Sequence, residues 1–239
     1  MKLKIGIYLL CFLVFGCVRL HGQNIGRQQL IDNSAVDYLR IADNQSPLYY
    51  GKFYEGYLRS INHPFLKDER FVKARLSYCG IIYPEVMLRL DLNRGELITQ
   101  SPDYHNIVLF PENVDYVDLH DQHIIYFQPD NLPGCPSTGY YTLLHSGNCK
   151  ILKKQIATQM EKINSNIVER YFDFSTWFYL FKDNTYYVIK TKRGLLNVMY
   201  PYKRELKRFI SANRWRFRHD ADELITQTVI EYEKLSGSN

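Results

Sequence analysis

From Phe71 to Lys154 the apolar residues recur at every second position, and each run is closed within a few residues by a turn. A period of two places alternate side chains on opposite faces of an extended chain, so such a stretch buries one face only as a strand within a sheet. Val72 to Tyr78 alternates, Cys79-Gly80 supplies a turn, and Tyr83 to Leu92 alternates again through Val86, Leu88 and Leu90, which predicts a β-hairpin. Asn93-Arg94-Gly95 makes the next turn. Further strands are predicted over Glu96 to Thr99, Asn106 to Phe110, Val114 to Leu119, His123 to Phe127, Gly139 to His145 and Cys149 to Lys154. Thr176 to Phe181 and Thr185 to Lys190 flank Lys182-Asp183-Asn184 as one more hairpin. Strands this short, joined this tightly, predict an antiparallel meander.

The period then changes. Thr191 is placed to cap a short helix carrying Leu195, Leu196 and Val198, and Pro201 breaks or restarts it. Leu206, Phe209 and Ile210 form an apolar stripe, and a final helix follows His219-Asp220 with Leu224, Ile225, Val229, Ile230 and Tyr232. Before the strands, Leu30, Ile31, Ala35, Tyr38, Leu39 and Ala42 recur at helical spacing within 27–43, while 46–70 has no clean period and reads as an extended segment laid over something else. The expected fold class is α+β: an antiparallel β-meander, as a curved sheet or half-barrel, followed by two or three C-terminal helices. The expected division is 1–22 as a signal peptide, 23–70 as an N-terminal helix and extended segment, 71–190 as the sheet, and 191–239 as a helical segment packed on it. A chain that is 46% hydrophobic and 15% aromatic has the material for a sizeable core, which excludes collagen-like and disordered classes.

Lys2 and Lys4 precede an apolar run from Ile5 to Val18, and a polar exit follows at His21-Gly22-Gln23. This is the layout of a secretory signal peptide removed after Gly22, and the run is shorter than the roughly 20 residues a membrane-spanning helix needs. Val14-Phe15-Gly16-Cys17 offers an alternative, a lipid anchor on Cys17, in which Phe15 is bulkier than the usual small residue. Export to the periplasm or outer membrane follows in either case. Three cysteines remain after processing, and Cys135–Cys149 is the preferred of three pairings in an oxidising compartment. The absence of Cys-x-x-Cys removes support for a thioredoxin-like or zinc-ribbon site.

The formal charge of +5, from 30 basic and 25 acidic residues, is too balanced for a dedicated nucleic-acid binder, and removing 1–22 takes away Lys2, Lys4 and Arg19 and lowers it to +2. The charge is uneven. Between Tyr186 and His219 ten cations face one acid, Glu205, which leaves −7 for the rest of the mature chain. Lys203, Arg204, Lys207, Arg208, Arg214 and Arg216 are the candidate residues for an anionic lipid surface or an acidic partner. Arg214 to His219 interleaves cations with Trp215 and Phe217, whose other role is to pack beneath the last helix.

His120, Asp121 and His123, with Asp115 and Asp118, are the densest metal-capable cluster, and the competing reading is a polar hairpin turn between Val117 and Ile124. Asp115 and Asp118 are also a formal carboxylate pair for glycoside hydrolysis. The sequence has no Gly-x-Ser-x-Gly elbow and no Gly-rich phosphate loop, so no catalytic residue is assigned and no cofactor is expected. Tyr-rich strands suit either a carbohydrate platform or an ordinary pleated core.

The run from Leu76 to Leu97, the Gly139–Gly147 hairpin and the Lys203–Arg214 tail resemble exported proteins of Bacteroides-type bacteria. The resemblance implies a Gram-negative envelope location and transfers no activity or site residue. The functional expectation is a non-enzymatic accessory, binding or assembly subunit at the outer membrane, with an outer-membrane or envelope protein as partner. A secreted hydrolase is the alternative.

Overall fold

The computed structural model describes residues 46–164 and 167–237. The predicted leader at 1–22, the Cys17 anchor and the predicted helix within 27–43 lie outside the described residues. The architecture is α+β: an open antiparallel sheet followed by three C-terminal helices.

The strands are β1 (Lys52–Phe53), β2 (Val72–Tyr78), β3 (Ile81–Asp91), β4 (Glu96–Gln100), β5 (Asn106–Val108), β6 (Val114–Leu119), β7 (Gln122–Phe127), β8 (Gly139–Ser146), β9 (Lys150–Asn164), β10 (Ile167–Lys182) and β11 (Thr185–Ile189). The helices are α1 (Lys192–Val198), α2 (Lys203–Ala212) and α3 (Ala221–Gly237). The spatial order β1-β5-β4-β3-β2-β6-β7-β8-β9-β10-β11 shows two meanders joined where β6 returns to pair with β2. That return follows from the chain between β5 and β6, where Leu109 is buried and a 3-10 turn at Pro111–Asn113 redirects the backbone.

Three hairpins use two-residue turns with both residues in the left-handed region: Cys79-Gly80, His120-Asp121 and Asp183-Asn184. Such turns match the right-handed twist of the flanking strands. One sheet face carries Leu76, Val86, Leu88, Leu90, Leu97, Val117, Leu119, Ile124 and Tyr140 into a single buried core. The sheet curls around it. β9 and β10 pair from Asn164↔Ile167 to Lys150↔Phe181, well past the reach of β8 and β11, and this long arm bends back onto the first meander. The Ala157 N–H donates to the Leu92 carbonyl at 3.1 Å, Asn93 Nδ2 donates to the Ala157 carbonyl at 2.9 Å, and Ala157 and Phe172 join the same core. Asn62 completes the closure by standing in for a strand: its Nδ2 donates to the Phe172 carbonyl at 2.8 Å and its Oδ1 accepts the Phe172 N–H at 2.7 Å. The result is a half-barrel, not a closed one.

A second core lies between the C-terminal strands and the helices, where Ile151, Phe178, Leu180 and Ile189 meet Leu195, Leu206, Ile210, Leu224, Ile225 and Val229. Each fully buried Leu, Ile or Val contributes about 1.5–3 kcal/mol relative to exposure, so this face fixes the helices on the sheet. Thr191 caps α1, its Oγ1 accepting the Gly194 N–H at 3.0 Å. The unperiodic 54–66 segment packs Tyr54 and Phe65 against Ile98 on the convex face of the first meander.

The expected Cys135–Cys149 bridge is not formed: Cys79, Cys135 and Cys149 are free thiols. Adjacent strand residues point to opposite faces. Lys153 of β9 reaches Asp222 of α3, whereas Lys154 lies over the Tyr141 ring and bonds Ser137. Cys149 is buried among the helix-facing residues, and Cys135 belongs to the 128–138 loop on the other face, where its Sγ accepts the Asp130 N–H at 3.3 Å. The sheet itself separates the two sulfurs.

Candidate functional site

The helical segment builds its charge outward because its apolar residues are committed inward. In α2, Leu206 and Ile210 are buried, and Lys203, Arg204, Lys207 and Arg208 occupy the opposite stripe at spacings of four and one. All four are exposed, as are Lys190, Arg193, Arg214, Arg216 and Arg218, while Lys192 is half-buried. Among the described residues none of these ten cations enters an ion pair. Their contacts are neutral: Lys203 Nζ donates to Asn197 Oδ1 at 2.8 Å, and Lys190 Nζ stands 5.1 Å above the Trp177 ring.

The cation–aromatic run 214–219 divides by side chain. Trp215 packs edge-on against Phe209 at 5.5 Å and Phe217 against Phe178 at 6.2 Å, while Arg214, Arg216 and Arg218 remain exposed. The aromatics belong to the helical core. Asp220 turns inward, accepting the Arg216 N–H at 2.9 Å, so it ties the backbone rather than a guanidinium.

The metal-capable cluster takes the geometry of a turn. His120 and Asp121 are the two left-handed residues between β6 and β7, and Lys67 Nζ donates to the His120 carbonyl at 2.8 Å. Burial, then the neighbouring Lys67 charge, holds the His120 imidazole below its ordinary pKa. His123 Nδ1 lies 2.7 Å from Asp118 Oδ1 with its ring beside Tyr116. Among the described residues no three His, Cys, Asp or Glu side chains converge as metal ligands. Asp115 and Asp118, three apart on one strand, point to opposite faces, and Asp115 accepts the Ser77 hydroxyl at 2.7 Å.

No protein-family model, curated protein or solved structure matches the chain. No helix among the described residues is long and apolar enough to cross a membrane.

Two polar centres escaped the sequence reading. His145 Nε2 lies 2.9 Å from Glu233 Oε2, and Glu233 Oε1 accepts the Cys149 N–H at 2.6 Å. The three residues have the membership of a cysteine-nucleophile triad, but Glu233 engages the Cys149 backbone N–H, and the Cys149 thiol is buried and pushed up to about 11, first by burial and then by the Glu233 charge. A nucleophilic cysteine needs the reverse shift. Glu233 lies 84 residues beyond Cys149, so no local spacing announces the contact.

The second centre is Asp91, fully buried at the end of β3. Its Oδ2 accepts the hydroxyls of Tyr54 at 2.9 Å and Tyr57 at 2.8 Å, and its Oδ1 accepts the N–H groups of Asn93 and Arg94 at 2.8 and 3.1 Å. Burial, followed by the Asp91 charge and its hydrogen bonds, pushes both phenols above their ordinary pKa and keeps them as donors. The arrangement clamps the 54–57 segment onto the β3–β4 turn.

Proposed function

We propose that this chain is a non-enzymatic exported envelope protein, an accessory or assembly subunit that meets an acidic surface at the outer membrane through the exposed face of α1 and α2. The observation that carries the reading is the set of ten cations between Lys190 and Arg218, outward-facing but for the half-buried Lys192 and without an anionic partner among the described residues. An unpaired basic face of this kind steers toward anionic headgroups or acidic protein surfaces, at about 1 kcal/mol per cation near an anionic membrane and less as salt rises. Its support for a non-enzymatic role is the state of the polar centres: each His, Asp and thiol cluster described above is engaged in a structural contact. The outer-membrane location rests on the leader-like residues 1–22 and the resemblance to exported proteins.

The test replaces Lys203, Arg204, Lys207 and Arg208 together by Gln. These side chains lie opposite the buried stripe, so circular dichroism and melting temperature stay unchanged. Co-sedimentation with vesicles containing an anionic phospholipid, and pull-down from envelope extracts, is expected to fall at least tenfold in the variant and in wild type at high salt. Equal binding by wild type and variant at both salt concentrations overturns the reading.

A further inference from the structure

The convex face of the first meander carries a cleft of about 450 Å³ between β3 and the 54–65 segment that crosses it. At its base the Arg89 guanidinium lies 4.1 Å from the centre of the Phe65 ring, 4.4 Å from that of Phe71 and 5.4 Å from that of Tyr54. Ring faces hold a cation in place without satisfying its N–H groups. The protein supplies one hydrogen bond, from Nη1 to the Glu69 carbonyl at 3.1 Å, and leaves the buried Nε without a partner. No carboxylate lies within ion-pair distance of this side chain among the described residues; the Glu69 and Asp91 charges support it from further away, while desolvation outweighs them and works against its charge.

A half-buried guanidinium with most of its donors unmatched is the environment in which an incoming anion gains most, because planar carboxylates match the guanidinium fork. The walls specify the rest of the ligand. His63 stacks on Phe65 with 23° between the rings, and Leu58 and Ile61 at the lip are 71% and 69% exposed. Glu69 also lines the cleft and disfavours a dianion more than a monoanion. We infer that this cleft is a binding site for a small monocarboxylate with a flat apolar body, its carboxylate on Arg89 and its body against Phe65, His63 and the Leu58–Ile61 lip. The site lies on the sheet, apart from the helical cations, and stands independently of the proposed membrane-facing role.

The probes are 4-fluorobenzoate, the neutral 4-fluorobenzamide and inorganic phosphate, followed by fluorine NMR line broadening and competition with the full chain. Benzoate is expected to bind at least tenfold more tightly than the amide, with phosphate a poor competitor. Arg89→Gln is expected to abolish the preference for the carboxylate. Should that variant fail to fold, Arg89→Lys keeps the charge but not the fork and lowers affinity about tenfold, while Ile61→Ala, at an exposed position, lowers it severalfold. Equal binding of acid and amide, unchanged affinity in the folded Arg89 variant, or tighter binding of phosphate than of benzoate each overturns the assignment.

Discussion

Glu233 of α3 accepts the backbone N–H of Cys149 at 2.6 Å while its second oxygen stands 2.9 Å from His145, so one carboxylate ties the last helix to both sides of the β8–β9 turn. His145 and Glu233 side chains are each 18% exposed. Truncation leaves a backbone donor unmatched in a largely desolvated place, a loss of roughly 1–3 kcal/mol. Glu233→Ala should lower the urea midpoint accordingly, and Glu233→Gln, which keeps an acceptor, should lose less. An unchanged midpoint in Glu233→Ala would show that the contact does not hold the helix.

The three thiols are expected to differ in reactivity. Cys79 is exposed at a turn, whereas Cys149 is buried and its thiol is pushed up to about 11. At pH 8 alkylation should modify Cys79 first and Cys149 only on unfolding, and peptide mass mapping without reductant should find no 135–149 crosslink. The linkage has a definite sign. A folded-state pKa raised above the unfolded value means that the native state binds the extra proton, so the contribution of Cys149 is complete below pH 9 and disappears as pH rises through about 11.

The sheet was legible because its core-facing strands alternate: Val86, Leu88 and Leu90 announce β3 as directly as any contact does. The outer arm was not. Between Gln155 and Ser175 the two strands are flanked by few neighbours: Ala157 and Phe172 reach the core, but Met160, Ile163, Val168 and Phe174 stay exposed, and with so little buried face to enforce it the alternation fades. The reversal of strand order at β6 was hidden for another reason, since hairpin spacing specifies sequential partners and says nothing of which edge a later strand joins. The basic stripe of α2 was readable from spacing alone. Arg89 and Asp91 were not, because both face outward from β3 and their surroundings come from residues 54–71, which have no period to place them.

Asp91 offers a direct measure of how much that covering segment depends on one side chain. It satisfies two hydroxyls and two backbone N–H groups from complete burial. Asp91→Ala leaves all four without that acceptor and should destabilise by at least about 3 kcal/mol, in the range for breaking a buried charged network. Asp91→Asn retains one oxygen and should lose less. Protection of the Asn93 and Arg94 amides from hydrogen exchange is the local readout, and full protection in the Ala variant would contradict the clamp.

The loop 128–138 protects the last strand, and Gly134 decides whether it can. β11 is an edge, and the Tyr186 N–H turns away from β10 toward the loop, donating to the Pro133 carbonyl at 2.9 Å. Tyr186 also packs its ring against Phe127 and Phe181 at 5.9 and 4.7 Å, so the loop, β7 and β11 form one assembly. Gly134 sits beside this bond at a φ of 70°, and a Cβ there would press into the Tyr186 carbonyl oxygen. Left-handed strain of about 1 kcal/mol and the steric push act together, and the push falls on backbone that cannot rotate away. Gly134→Ala should therefore lower stability by about 2 kcal/mol and expose the β11 edge, raising the tendency to self-associate. Gly56→Ala, where an added methyl meets nothing within 4 Å, is the matched control and should be neutral. Melting temperature and light scattering read the two effects separately, and a Gly134→Ala protein as stable and as monodisperse as the Gly56→Ala control would mean that the loop does not guard this edge.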